Sequence, residues 1–426
     1  MSDAPKFALP DRLKPSMRLA WSVVFLGFLM QVMGAGPVYY AYGNYAVAFA
    51  EEFSAPRSII NIGFTVLGIF GNVGSAPVGI AADRWSIRYI AMFGVIGTSL
   101  GFYLVSLSTN IWHVVLLFSS LIALADICIG NVVSNYLVSN WFERRRGLAL
   151  GLSVLGASTS GIIFPPLTDY LIGAYGWRST FVIYAVLILT ILPPVWALAR
   201  LPTRIPKAEL SNKTSASQLP PMSIRQLLRN RTFWVISLAV GTMIGANTGT
   251  MVSLVSFGKA RGLTTADASY LLSVLGICAM IGKVGLGAVS DRLSHRAALQ
   301  LGIGLQIIAM ATLAFGQGFG VMLFGVGTFG LGLGAMMPVW GAALAASFGL
   351  ASYGRALGCS RVLMTPISMV FPIIAGWVFD VTGDYSWAWL SFAAMLGCAF
   401  IGTLLWKTAR PEPIMKASDE ALAAGA

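Results

Sequence analysis

Charged residues are scarce in this chain. Only 10% of its 426 residues are charged, whereas 57% are apolar, and a soluble domain averages about 25% charged residues. Apolar runs of roughly 20 residues between short polar loops are typical of membrane-spanning helices. The runs lack strand-like alternation, and a helix pairs its backbone groups within one segment, as lipid requires. The composition therefore excludes a set of soluble domains and predicts an all-α membrane protein.

Residue types that carry enzyme chemistry are also few. The two histidines, His113 and His295, lie far apart at the ends of apolar runs, and the four cysteines all fall inside such runs. Cysteines in that setting are typical core residues, so we expect neither a disulfide framework nor a metal site. The sequence has no Gly-Lys-Ser/Thr loop that would power an ATP-driven pump. We therefore expect no enzyme activity and no cofactor.

The net charge of +12 reflects where the basic residues fall. Of 28 Lys and Arg residues, 22 lie in loops or tails that we assign to the cytoplasm, four in outer loops and two within spans. This asymmetry follows the positive-inside rule and predicts cytoplasmic termini in a cell inner (plasma) membrane. The first apolar run is too long for a cleavable signal peptide. We expect the lipid bilayer and a small solute as partners, no nucleic acid, and a functional monomer.

Twelve apolar stretches predict twelve transmembrane helices in two six-helix halves. The N-terminal half covers 19–198 and the C-terminal half covers 233–406. A basic, proline-rich cytoplasmic linker, 199–232, joins them, and cytoplasmic tails flank them at 1–18 and 407–426. Glycines interrupt the first and seventh spans, and such breaks occur where a helix lines a cavity or packs tightly against a neighbour.

The two halves repeat a loop with the pattern Gly-x-x-x-Asp-Arg-x-x-x-Arg, after the second and the eighth spans. Its residues are Gly79, Asp83, Arg84 and Arg88 in the first copy and Gly287, Asp291, Arg292 and Arg296 in the second. The offset between the copies is 208 residues (287 − 79). Repeats in the same direction predict two bundles that rock around a central site. The charged loops can act as gating latches at helix ends, or they can simply set the topology.

The paired loops resemble the loop signature of the major facilitator superfamily, which has them after the same two helices. A second stretch resembles the helix 4–5 segment of the monocarboxylate porter family and of the bacterial oxalate/formate-antiporter-like branch; it reads Trp141-Phe142-x-Arg144-Arg145-Arg146-Gly147-Leu148-Ala149-x-Gly151-Leu152. The resemblance implies the major facilitator fold and alternating-access transport of a small carboxylate. In that family a cation on helix 8 meets the substrate carboxylate. Lys283 falls at about that position, where the family usually has arginine.

Lys283 is the leading candidate for the substrate anchor. A cation within a span costs about 2.5–3.5 kcal/mol even on the mildest scale, so it should face a partner or a water-filled cavity. A transported anion is one such partner; the alternative is a side chain that reaches back to the inner interface. Arg361 in the eleventh span is a second candidate; it could also reach that interface or bond the loop between the fourth and fifth spans. A cation on the eighth span and another on the eleventh resemble the pattern of the oxalate/formate branch, in which each of these two helices carries one.

Asp126 is the one acidic residue at mid-depth of a predicted span. Its carboxyl group could load and release a proton, pair with Lys283 in the empty carrier, or form a neutral hydrogen bond. Other candidates for the wall of a substrate cavity are polar or aromatic residues that are also common in helix packing; they are Tyr39, Tyr42, Asn135, Asn247 and Trp340.

These residues favour a secondary active transporter of a small organic anion. The first hypothesis is a proton-coupled monocarboxylate symporter with Lys283 as anchor and Asp126 as proton carrier. The second is an antiporter that exchanges two carboxylates, with Arg361 as a further anchor and a counter-anion in place of the proton. The third is a membrane sensor that transports nothing. Such sensors usually add a soluble signalling domain, and the short tails argue against one here.

Overall fold

The computed structural model describes residues 17–142, 146–200, 222–290 and 294–406, and the regular structure in this part is helical. The helices are α1 (Met17–Ala35), α2 (Tyr42–Phe53), α3 (Arg57–Arg84), α4 (Ile87–Ser106), α5 (Ile111–Leu117), α6 (Ala123–Ile129), α7 (Asn131–Trp141), α8 (Arg146–Leu189), α9 (Leu192–Leu198), α10 (Ile224–Arg229), α11 (Arg231–Ala260), α12 (Thr265–Ser290), α13 (His295–Phe315), α14 (Phe319–Thr382) and α15 (Ser386–Leu404). Two π-helical turns, Gly36–Tyr40 and Phe118–Ile122, connect α1 to α2 and α5 to α6.

These helices make twelve passes. Ten segments in the described part are long and apolar enough to cross a membrane. One of them, Leu148–Leu198, has 51 residues, which would measure about 76 Å as a straight helix, so it contributes two passes. The chain turns between them at Gly176, where φ is 78°. The helix α3, with its apolar stretch Arg57–Gly71, is the remaining pass. The prediction of twelve helices in two repeats is confirmed.

The long helix α14 also holds two passes, Phe319–Phe348 and Arg355–Thr382. The indole Nε1 of Trp340 lies 3.3 Å from Ser360 Oγ. Twenty residues of straight helix would separate these residues by about 30 Å. The chain must therefore turn back between them, and the two passes are the tenth and eleventh spans.

Each half has its own apolar core. Aromatic rings that pack edge to face, tilted or stacked are prominent in both cores; they are Tyr42, Tyr45, Phe49, Phe102, Phe118 and Phe181 in the N-terminal half and Phe257, Phe371, Tyr385, Trp389 and Phe392 in the C-terminal half. Close-packed cores resist deformation. Each half is therefore packed as a unit around its own core.

The repeat extends to a close helix contact in each half. An added Cβ at Gly36 would overlap the ring of Phe164, and one at Gly245 would overlap the ring of Phe371. These pairs are related by offsets of 209 (245 − 36) and 207 (371 − 164) residues, close to the repeat offset, and both phenylalanines precede a proline. Small residues let helices approach closely in membranes. The missing side chain is therefore what allows each ring to pack against the helix backbone.

We expect Gly245→Ala to lower the stability of the C-terminal half by about 1–3 kcal/mol, the usual effect of overpacking. Thermal unfolding in detergent would measure the change. Gly151→Ala is the matched control, because an added Cβ there meets nothing within 4 Å, and alanine is the better helix former. Equal unfolding midpoints for Gly245→Ala and the unmodified chain would contradict the assigned close contact.

The predicted linker contains a helix that the sequence analysis did not anticipate. The helix α10 begins with a capping box: Gln226 N donates to Ser223 Oγ at 3.3 Å, and Ser223 N donates to Gln226 Oε1 at 2.8 Å. Residues 201–221 lie outside the described part. The boundaries of the halves, the linker and the tails stay predictions.

Candidate functional site

A cavity of about 340 Å³ lies between the two halves. The N-terminal half contributes Gln31, Ala35, Tyr39, Gly68, Gly71, Asp126, Ile127, Gly130, Val132 and Ala157 to its wall, and the C-terminal half contributes Ile244, Thr248, Trp340, Arg361, Met364 and Ser368. The volume is at the lower end of the range for small-molecule pockets. The cavity therefore has room for a small metabolite.

Asp126 and Tyr39 form a hydrogen-bonded pair on the N-terminal side of the cavity. Tyr39 Oη donates to Asp126 Oδ2 at 2.9 Å. The other carboxyl oxygen, Oδ1, is buried and has no hydrogen-bond partner among the described residues. Tyr39 lies in a π-helical turn that contains Pro37, and a second π-helical turn directly precedes α6, which carries Asp126. Such turns are frequent at functional sites, and here they flank both members of the pair.

Arg361 and Trp340 form a corresponding pair on the C-terminal side. The Arg361 guanidinium carbon lies 5.9 Å from the centroid of the Trp340 ring, within cation–π range. Trp340 Nε1 donates to Ser360 Oγ at 3.3 Å, and Ser360 in turn meets Ser237 on α11 at 2.9 Å. The indole is therefore held in place beneath the guanidinium.

The charges on the cavity wall are divided between the halves. Among the described lining residues, Arg361 is the one cation and Asp126 the one acid. Asp126 is 6% exposed. A buried carboxyl and a cation that face one cavity from opposite halves interact more strongly than they would in water. Any anion that enters the cavity therefore meets both.

Lys283 lies at the contact between α12 and α8, beside the cavity. Its Nζ donates to Ser158 Oγ at 2.7 Å, which joins the two halves. Ser158 follows Ala157, a lining residue. The side chain thus reaches across to the other half of the molecule. The described side-chain hydrogen bond of Asp126 is to Tyr39, and that of Lys283 is to Ser158. A pair between Lys283 and Asp126, one of the alternatives considered for this carboxyl group, is not among the ion pairs of the described residues.

Tyr42 lies in the N-terminal core, away from the cavity wall. It is 1% exposed, and its hydroxyl donates to Ile60 O at 2.7 Å. The ring packs against those of Phe64 and Phe118. These contacts fit a packing role for Tyr42, the alternative that the sequence analysis left open.

The two predicted asparagines lie next to the wall. Asn135 Oδ1 accepts a weak hydrogen bond of 3.5 Å from Gln31 Nε2, and it is Gln31 that lines the cavity. Asn247 precedes Thr248, which also lines it, and Asn247 Oδ1 is buried without a partner in the described part. Of the predicted substrate and proton residues, the structure brings together Tyr39, Asp126, Trp340 and Arg361.

Several residues of the cavity wall are not among those predicted from the sequence. Gln31 could have been found, because it is an amide within the apolar run of α1. Thr248 Oγ1 lies 2.9 Å from Gly245 O and 3.2 Å from Ser368 O, and so ties α11 to α14 at the wall. Thr248, Ser368 and Met364 are residue types common in spans, and no sequence signal distinguishes them.

Most residues of the two predicted gating loops lie outside the part of the chain that the structure describes. Outside it are the side chains of Asp83 and Arg84, the glycine positions 79 and 287, and residues Asp291 and Arg292. The Arg88 guanidinium carbon lies 5.7 Å from the Trp196 ring, and Arg296 Nη1 donates to Trp406 O at 3.1 Å. Each of these arginines holds the last span of its own half. A gating role for the loops stays a prediction.

Comparison with known proteins agrees with this architecture. The sequence model of the Major Facilitator Superfamily matches residues 23–332 and 287–424, and the chain belongs to that family. Monocarboxylate transporter 13 of Bos taurus is 27% identical over 385 residues, covering 88% of this chain and 86% of the relative. Monocarboxylate transporter 12 of Mus musculus is 26% identical over 386 residues, covering 83% of this chain and 78% of the relative.

A solved structure shares the fold. An inward-facing, unoccupied bacterial homolog of the human lysosomal transporter Spinster has a TM-score of 0.76 at 14% identity, covering 94% of this chain and 100% of that one. The predicted major facilitator fold and the resemblance to monocarboxylate porters are confirmed. The chain is a multi-pass membrane transporter and not an enzyme.

Proposed function

We propose that the chain is a proton-coupled symporter of a small monocarboxylate, which works as a monomer by alternating access. It would lie in a cell inner (plasma) membrane with both termini cytoplasmic, as the distribution of basic residues predicts. The names of the similar transporters support the substrate class. The observation that carries the proposal is the cavity between the halves, with Arg361 on one side and Asp126 on the other.

Arg361 is the proposed substrate anchor. A guanidinium binds a carboxylate through two parallel hydrogen bonds, which fixes the orientation of the anion as well as its charge. The contact with Trp340 limits where that guanidinium can point. The apolar wall residues Ile127, Ile244 and Met364 leave a place for a short apolar body. The substrate would then be a small organic anion with one carboxylate.

Asp126 is the proposed proton carrier. When it is ionised, its negative charge attracts Arg361 and repels a substrate carboxylate across the same cavity. Protonation removes both effects, so a bound proton and a bound anion favour each other. Such coupling is reciprocal: the anion must favour the proton by the same factor. A carrier with Asp126 in its cavity wall would therefore move the proton and the anion together.

Lys283 is proposed to add positive potential beside the anion site. We expect Lys283→Gln to weaken carboxylate binding about tenfold, or about 1.4 kcal/mol, while the protein still inserts into the membrane. Glutamine can keep a hydrogen bond to Ser158, so the variant removes mainly the charge. Lys283→Arg, which keeps the charge, should retain most of the affinity. Unchanged uptake by Lys283→Gln in liposomes would contradict any anchoring role for this lysine.

The second candidate is an exchanger of two carboxylates. The observation that favours it is the presence of two cations, Lys283 and Arg361, at or beside one cavity. Purified protein in liposomes separates the candidates. A symporter takes up labelled substrate when a proton gradient is imposed, whereas an exchanger needs liposomes that are preloaded with a carboxylate.

A further inference from the structure

The first spans of the two halves meet at the end of the bundle opposite Met17, where the first span begins. We call this end the distal end and define it by residues 51–57 and 259–265. The helix α2 packs there against the last part of α11. An added Cβ at Gly43 would lie 3.1 Å from Met251 O and 3.2 Å from Val255 Cγ2. Two turns further along both helices, Lys259 Nζ donates to Glu51 Oε1 at 2.6 Å. These contacts form one continuous seam between the halves.

The residues that meet in this seam are each other's copies in the repeat. Glu51 and Lys259 differ by 208 residues (259 − 51), and so do Gly43 and Met251 (251 − 43), which is the offset of the repeated loops. Val47, one turn from each contact, packs in the apolar core of the C-terminal half. In a twofold interface, a residue on the axis meets its own copy. The seam therefore lies on the pseudo-twofold axis that relates the halves.

Self-contact on an axis limits which side chains can meet. Two identical copies at this position would place glutamate against glutamate or lysine against lysine, which would push the halves apart. Here the copies have opposite charges and attract each other. Because Glu51 and Lys259 stand on different halves, the attraction exists only while the distal end is closed.

We propose that the Glu51–Lys259 pair is the lock of a distal gate, which holds the cavity closed on that side and breaks when the halves part there. The proposal rests on the alternating access proposed above and on no particular substrate. Two neighbouring contacts agree with closure of this end. Asp380 of the C-terminal half accepts hydrogen bonds from Arg57 N at 2.9 Å and Ser58 N at 3.0 Å. Asn61 Nδ2 donates to Pro372 O at 2.8 Å.

The test is a distance measurement between spin labels across the distal end, with no substrate present. Thr109 and Gln317 are exposed. They lie in the loops between α4 and α5 and between α13 and α14, at the distal end of the spans that precede them. Cysteines at these two positions can carry the labels once the four native cysteines are replaced. In the Glu51→Lys variant two lysines would meet. Loss of an exposed ion pair changes an equilibrium constant by a few fold. In this variant the attraction is not only lost but replaced by a repulsion, which favours the open distal end further. We expect the ratio of the long to the short distance to rise roughly three- to tenfold.

The chain supplies two matched controls. The exchanged variant Glu51→Lys with Lys259→Glu restores the attraction and should return the distance ratio to that of the unmodified chain. The Glu52–Arg178 pair has similar exposure and a length of 2.7 Å, but both members belong to the N-terminal half. Glu52→Lys should therefore leave the ratio unchanged.

The proposal is overturned if Glu51→Lys leaves the ratio unchanged, if the exchanged variant behaves like the single one, or if Glu52→Lys has the same effect. None of these results depends on transport. A failure of the lock is thus distinguishable from a failure of the proposed symport, which the uptake experiments address separately.

Discussion

Arg361→Gln should weaken carboxylate binding about a hundredfold and leave the protein folded in the membrane. A hydrogen bond to a charged group contributes about 1.5–3 kcal/mol, and a guanidinium makes two of them to one carboxylate. Glutamine keeps part of the length and polarity of the side chain but removes the charge. The expected result is a large rise in the half-saturating concentration, measured by uptake into liposomes.

Two variants control for this result. Arg361→Lys keeps a point charge without the planar fork, so it should recover part of the lost affinity. Arg355→Gln changes an exposed arginine of the same span, which contacts Met222 O at 3.2 Å away from the cavity. It should leave the half-saturating concentration unchanged. If Arg361→Gln binds substrate normally while Lys283→Gln does not, the anchor is Lys283, as the sequence analysis predicted.

Asp126→Asn should abolish the response of uptake to a proton gradient while exchange of carboxylate across the membrane continues. Asparagine has the shape of a protonated aspartate but cannot release a proton. The carrier would therefore bind the anion in every state and return only when it is loaded. In liposomes we expect no accumulation driven by the gradient and unimpaired exchange when the lumen contains unlabelled substrate.

Tyr39→Phe is the matched control for Asp126→Asn. It removes the 2.9 Å hydrogen bond to the carboxyl group and keeps both the ring and the titrating group. Gradient-driven uptake should persist in this variant. If Asp126→Asn accumulated substrate in response to the gradient as the unmodified chain does, Asp126 would not be the proton carrier.

The fold could be predicted from the sequence because lipid leaves few choices. Apolar runs of sufficient length must be helices, and the repeated loop at an offset of 208 residues reveals the duplication. The residues at which individual helices begin, bend and end were less predictable. The first span contains the π-helical turn Gly36–Tyr40 and extends through α2 to Phe53. Such details depend on tertiary contacts, among them the packing of Gly36 against Phe164.

The site could be predicted only in part, because a sequence gives the depth of a residue in a span but not the direction it faces. Lys283 and Arg361 were both recognised as costly cations, and the structure then placed Arg361 on the cavity wall and Lys283 against Ser158. The partner of Asp126 is 87 residues away in the chain. No local pattern links two such positions.

The seam on the pseudo-twofold axis could also be predicted from the sequence only in part. The offset that relates Glu51 to Lys259 is present in the sequence. That these two copies touch becomes visible only when α2 and α11 are seen to lie along the axis. Other copies, such as Arg88 and Arg296, contact the last span of their own half.

The central claim is that the cavity carries a small monocarboxylate together with a proton. The most direct test is uptake of labelled lactate by purified protein in liposomes, with and without an inward proton gradient and with unlabelled carboxylates as competitors. The account predicts that the gradient increases uptake and that monocarboxylates compete whereas dicarboxylates do not. If uptake is independent of the proton gradient and occurs only when the liposomes are preloaded with a carboxylate, the account is contradicted and the protein is an exchanger.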